Sequence, residues 1–248
     1  MLRAFYLQVI CVTTLLTITG FINHTPGKNV ETFRIEKTTF SDSLRNNIAE
    51  PESTSSYDVM HLEKTGLAKN VFELALKGYN RLLKKRMLSK KNIITIIDYS
   101  QPSENKRLYV LDIKNNKLLF QSLVAHGRNC GLDYATSFSN DDDSHKSSLG
   151  FYVTLGTYTG ECGYALKLKG CEKGFNDKAY QRSIVMHGSD YVNEEFIKEN
   201  GYCGRSLGCP AIPKKIHKKI IDAVKKGSCL FVYHPTKKYL LTSPILNG

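Results

Sequence analysis

A cysteine nucleophile needs a thiol on a backbone that can come close to a carbonyl, a base in reach of the thiol proton, and donors facing the oxygen that turns negative. Cys209 lies in Gly204-Arg205-Ser206-Leu207-Gly208-Cys209-Pro210-Ala211, and His187 stands 22 residues upstream in Ile184-Val185-Met186-His187-Gly188-Ser189. Thiolate is the reactive species, and a free cysteine is mostly thiol at neutral pH. A neighbouring histidine can take that proton or, once charged, hold the thiolate. Gly188, Gly201, Gly204 and Gly208 let this stretch turn sharply. Gly208, immediately before Cys209, suits an oxyanion site built from backbone N–H groups. For one Cys and one His taken alone, the default is a buried structural cysteine beside an ordinary histidine.

The elements that must position this pair begin late in the chain. Arg3 precedes an uncharged, largely apolar run to Ile22, the pattern of an export signal; its length also admits an uncleaved membrane anchor. Residues 23–64 are polar and aperiodic and are expected to be a linker. From Thr65, a plausible N-cap, Leu67, Val71, Leu74, Tyr79, Leu82 and Leu83 recur at helical spacing. Strands are expected over 92–99, 107–113, 117–125, 151–158, 164–168, 183–186 and 229–233, with Lys114-Asn115-Asn116 turning a hairpin. Asp190 is expected to cap a short helix through Asn200, and an amphipathic helix covers 214–226, with Pro213 near its start. The fold class is therefore mainly β, with a preceding N-terminal helix and a few short helices, over residues 65–240.

The 248 residues include 41% hydrophobic ones, enough for a sizeable core, and carry a net charge of +12. Such a charge favours anionic partners, an acidic wall polymer among them. Zinc-finger spacing, RNA-binding aromatic signatures and basic heptad helices are all missing, so no nucleic acid is expected as partner. Asp141-Asp142-Asp143 lacks the spacing of a calcium loop and reads as solvated. Cys203 and Cys209 are too far apart for the usual zinc-ligand spacing, so no metal and no cofactor are expected. Export permits disulfides, and Cys162 with Cys171 is the expected pair.

Five blocks carry more than this. They are Val124-Ala125-His126-Gly127-Arg128-Asn129, Ser137-Phe138-Ser139-Asn140, Ser147-Ser148-Leu149-Gly150-Phe151, Val185-Met186-His187-Gly188 and the segment around Cys209. Together, in this order, they resemble the YkuD-type L,D-transpeptidases, in the branch called the murein L,D-transpeptidase catalytic domain family. The likeness extends over about residues 68–234 and reverses the default for Cys209. It implies a β-rich catalytic domain in which Cys209 attacks a peptidoglycan stem peptide, forms an acyl-thioester and passes the acyl group to an amine. His187 would be its base and later acid, the Gly188 carbonyl would orient the imidazole, and the Gly208 and Cys209 N–H groups would face the oxyanion. Arg205 would bind a substrate carboxylate or brace the loop; Ser206 would bond within the turn or touch substrate; His126 would line the cleft or serve structure. The expected setting is the periplasm or cell envelope.

Two alternatives stand beside this reading, an L,D-carboxypeptidase or other hydrolase on the same scaffold and a non-catalytic basic envelope-binding protein. The chain departs from the broader pattern at Leu207, where many members carry histidine, and at Ala211, where a polar residue is usual.

Overall fold

The computed structural model describes residues 55–248. The expected leader at 1–22 and most of the linker lie outside the described residues. The linker's expected end does not stay polar and loose. A short helix α1 (Ser56–Val59) and a 3₁₀ turn (Leu62–Thr65) follow one another there, and Tyr57, Met60 and Leu62 are buried in the core. Three apolar side chains spaced over six residues give this segment a face to bury, which its overall polarity hides.

Helix α2 (Lys69–Lys84) buries Val71, Phe72, Ala75, Tyr79 and Leu82, the stripe expected of a helix against a sheet. Thr65 does not cap it. The Thr65 hydroxyl donates back to the Leu62 carbonyl at 2.7 Å, Gly66 turns the chain with φ +83°, and Ala68 is the N-cap.

Eight strands follow: β1 (Ile93–Asp98), β2 (Leu108–Asp112), β3 (Lys117–Ser122), β4 (Gly150–Gly160), β5 (Gly163–Gly170), β6 (Val185–Ser189), β7 (Ala211–Pro213) and β8 (Cys229–Tyr233). They form one sheet in the order β3-β2-β1-β8-β4-β5-β6-β7, parallel at β1–β8 and β6–β7 and antiparallel elsewhere. Strands β1, β2 and β8 are buried at every position, so they read as mostly apolar runs without alternation, whereas β3 alternates over its first half. The two outer strands, β3 and β7, do not remain open edges. The chain leaving β3 bridges β7 at Ala125–Ala211 and the turn before it at Gly127–Ser206, giving a barrel-like closure.

Helix α3 (Glu194–Asn200) is capped by Asn193, whose Oδ1 accepts the Phe196 N–H at 2.6 Å; Asp190, expected there, pairs with Lys214 instead. Helix α4 (His217–Val224) is shorter than its apolar pattern, because Pro213 is the last residue of β7. A last helix, α5 (Lys237–Thr242), follows β8. All six described cysteines are free thiols. Cys162 and Cys171 lie at opposite ends of β5, on the order of 25–30 Å apart at the ~3.3 Å rise of a strand, far beyond disulfide reach. Among the described residues no helix is long and apolar enough to cross a membrane.

Helix α2 packs on the cross-strand pair Phe151–Phe231, whose rings stack at 4.2 Å. A Cβ on Gly78 of this helix would lie 1.9 Å from Phe151 Cζ. Alanine gains about 1 kcal/mol over glycine in a helix interior, but overpacking a core costs about 1–3 kcal/mol. Gly78→Ala is therefore expected to destabilise the domain by up to about 2 kcal/mol, read as a lower urea midpoint; a higher midpoint would show that the ring yields freely.

Candidate active site

The parallel pairing of β6 with β7 sets His187 opposite Ala211. Two residues earlier on each chain stand Val185 and Cys209, and the Val185 N–H lies 3.4 Å from Cys209 Sγ. Side chains two apart on a strand share a face, and diagonal neighbours across strands stand about 7–8 Å apart at the backbone. Cys209 and His187 accordingly open on one cleft of about 1080 Å³, with Tyr158, Cys162, Arg182, Tyr191, Arg205 and Leu207 also in its wall.

The turn that presents the thiol is held from two sides. On one, the Ala125 N–H donates to the Ala211 carbonyl (2.8 Å), the Ser206 N–H to the His126 carbonyl (2.9 Å) and the Arg128 N–H to the Ser206 carbonyl (2.7 Å). Inside the turn, Ser206 Oγ accepts the Gly208 N–H at 3.1 Å and donates to the Cys209 carbonyl at 2.6 Å. Gly208 has φ +120°, and a Cβ there would stand 2.8 Å from the Lys146 carbonyl, so conformation and space both require glycine.

These bonds bear on three expectations. The Gly208 N–H is committed to Ser206 and does not face an oxyanion; the Cys209 N–H, which makes no hydrogen bond among the described residues, is the free donor. Ser206 lines the cleft but is nearly buried and spends its hydroxyl within the turn, the first of the two roles expected for it. His126 does not line the cleft. It is fully buried, with Nδ1 2.8 Å from an Arg107 nitrogen, and only its backbone carbonyl reaches the turn. Arg205 does line the cleft; one of its nitrogens donates to the Arg128 and Gly131 carbonyls, both at 3.2 Å, which braces the loop.

Electrostatics at the pair run the opposite way to a preformed ion pair. Burial pushes the Cys209 thiol up to about 11, only partly offset by the Val185 N–H and the Arg182 guanidinium. Burial also lowers the His187 pKa below the usual imidazole value, partly offset by its bond to Gly188. His187 Nδ1 is 3.1 Å from the Gly188 carbonyl. A carbonyl only accepts, so Nδ1 carries the proton and Nε2 keeps its lone pair. The resting state is thus a neutral thiol and a neutral imidazole with a basic Nε2.

Arg182, absent from the residues expected at the site, lines the cleft and donates to the Ser139 and Lys146 carbonyls and to the Ser144 and Ser148 hydroxyls at 2.7–3.1 Å. Its only advance signal is its position just before β6. Among the described residues no cluster of three potential ligands could hold a metal ion.

The family model of the L,D-transpeptidase catalytic domain matches residues 63–233. No curated protein matches the chain. Among solved structures it is similar to an L,D-transpeptidase from Mycobacterium smegmatis (12% identity over 58% of this chain and 59% of that one, TM-score 0.36). Others come from Xylanimonas cellulosilytica (13%, 62% and 68%, TM-score 0.33) and Stackebrandtia nassauensis (16%, 70% and 74%, TM-score 0.33). The chain thus spans less than two thirds of the length of the mycobacterial protein.

A thiol held near 11 makes a direct test possible. Labelling of Cys209 by iodoacetamide, followed by peptide mapping, is expected to climb by roughly tenfold per pH unit from pH 7 to beyond pH 9, because only thiolate reacts. Saturation by pH 8 would instead reveal a thiolate–imidazolium pair.

Proposed function

The chain belongs to the L,D-transpeptidase catalytic domain family, and from that membership we propose that it is an exported cysteine acyltransferase acting on peptidoglycan stem peptides in the periplasm or cell envelope. The observation that carries the chemistry is the shared cleft of Cys209 and His187, with the imidazole Nδ1–H on the Gly188 carbonyl and Nε2 unprotonated.

At neutral pH a thiol of pKa about 11 is ionised in only about one molecule in 10⁴. Attack therefore has to move the proton as the bond forms. Cys209 Sγ adds to the carbonyl carbon of the L-configured centre of a diamino acid residue in the stem, while its proton passes to His187 Nε2. The carbonyl oxygen becomes an oxyanion that the Cys209 N–H can receive. Collapse breaks the bond to the following D-residue, whose amine leaves with the proton from Nε2, and the acyl group stays on sulfur as a thioester. An acceptor amine then adds to the thioester, gives its proton to Nε2, and expels the sulfur, which recovers the proton. Water in place of the amine would give hydrolysis. The positive charge of the chain suits an anionic wall polymer, and the apolar run after Arg3 is the ground for export.

Cys209→Ala is expected to abolish the covalent adduct of a carbapenem-type β-lactam in intact-mass spectra. His187→Ala should slow acylation by about 10²–10⁴-fold, the usual size of general-base help. In the wild type, acylation should rise with pH and reach half its plateau below about pH 6.5, since burial keeps His187 neutral at lower pH than a free imidazole. A label on another residue would overturn the nucleophile, and unchanged kinetics in His187→Ala would overturn the base. Digestion of purified muropeptides with an amine acceptor separates the outcomes: cross-linked dimers support transfer, shortened monomers mean hydrolysis.

A further inference from the structure

Ser147 is nearly fully buried at 3% exposure and lies next to the nucleophile turn, in a sequence block that the reaction above does not use. Its hydroxyl meets two backbone groups. The Gly127 N–H is 3.1 Å away, and so is the Gly208 carbonyl oxygen. An N–H can only donate and a carbonyl can only accept, so of these two groups only the Gly208 oxygen can take the hydroxyl proton.

Both polar groups of Gly208 are therefore engaged by serines, its N–H by Ser206 and its carbonyl by Ser147. The carbonyl belongs to the same peptide unit as the Cys209 N–H. In a trans peptide the two point in opposite directions from one plane, and no peptide among the described residues is cis. Pulling the Gly208 oxygen toward the 146–148 loop turns the Cys209 N–H away from that loop. This N–H is the one donor in the turn's Gly208–Cys209 pair without a partner.

Ser147 is itself held between two clamped neighbours. The Arg182 guanidinium donates to the Lys146 carbonyl at 2.9 Å and to the Ser148 hydroxyl at 2.7 Å, and its further bonds to Ser139 and Ser144 gather the rest of the loop. The loop can approach because Gly208 has no side chain in front of the Lys146 oxygen.

We propose that Ser147 is a positioning residue for acyl transfer: its hydroxyl, set by the Arg182-clamped loop, fixes the plane of the Gly208–Cys209 peptide and so aims the Cys209 N–H at the developing oxyanion. The proposal rests on the acyltransferase reading and deepens it. Ser147 does not touch the reacting atoms; it decides whether the donor is in place before the charge forms. Preorganised donors of this kind act where charge develops, and loss of one typically costs about 10²–10³ in rate. A donor that is loosened rather than deleted should cost less.

The test compares two reactions of the same sulfur. Carbapenem acylation passes through an oxyanion, whereas alkylation by iodoacetamide displaces iodide at a saturated carbon and forms none. Ser147→Ala is expected to slow acylation by roughly tenfold to a hundredfold, while the rate and pH profile of Cys209 alkylation stay within about twofold of wild type. Ser147→Thr, which keeps the hydroxyl, should recover most of the acylation rate. Acylation of Ser147→Ala within twofold of wild type would overturn the proposal. So would an equal fall in both reactions, or a threonine variant no better than alanine. Absence of acylation in the wild type would instead overturn the acyltransferase reading itself, which the same measurement reads separately.

Discussion

The closure between residues 125–128 and 206–211 is the constraint on which the site depends. Three backbone bonds of 2.7–2.9 Å join the chain leaving one edge of the sheet to the strand at the other edge and to the turn before it. Each contributes only about 1 kcal/mol net, but leaving such groups buried and unpaired would cost about 1–3 kcal/mol apiece, so the closure is strongly favoured once the sheet has curled. It converts a glycine-rich turn into a rigid one. The register of β6 on β7 then decides which residue faces His187, and a slip of one position would turn the thiol to the other face.

Burial has opposite effects on the two members of the pair and yet serves one outcome. Removing water raises the thiol and lowers the imidazole, since in each case the charged form loses hydration. At neutral pH the thiol thereby stays protonated and the imidazole neutral. The same low dielectric strengthens the interaction of a single N–H with a developing oxyanion, which makes its direction consequential.

Most of the sheet was legible because it is written in local pattern. The apolar runs around Ile94, Tyr109 and Phe231 identify strands buried on both faces, and the asparagines after Asp112 identify a hairpin. That Cys209 and His187 come to one cleft was legible too, from glycine placement and the ordered blocks. What escaped depends on which distant chain supplies a hydrogen-bond partner. Asp190 has the chemistry of a cap, but Lys214 lies within 2.6 Å and Asn193 is placed to cap instead. Arg182 sits next to a strand like many arginines, and its four loop acceptors come from residues 34 to 43 positions away. Gly208 was read as an oxyanion donor from its place before Cys209, yet the side chain two residues earlier takes its N–H. Proximity in sequence named both amides of the turn, and of the two only the Cys209 N–H lacks a partner among the described residues.

The buried histidine explains why the closure is rigid. Arg107 is fully buried without a carboxylate against it. It spends its nitrogens on the Val124 and Gln101 carbonyls, on His126 Nδ1 and on the face of Tyr99, 4.8 Å from the ring centre. A guanidinium only donates, so His126 Nδ1 must accept and the ring must be neutral. Burial first and then the Arg107 charge lower the His126 pKa to about 4, which keeps that tautomer across the physiological range. The proton on Nε2 then points to the Gly131 carbonyl, which also accepts from Arg205. One buried cation thus orients a neutral imidazole, and the imidazole and Val124 are anchored on either side of Ala125, the first residue of the closure. A histidine expected to line the cleft is therefore part of the frame that holds the turn carrying Cys209.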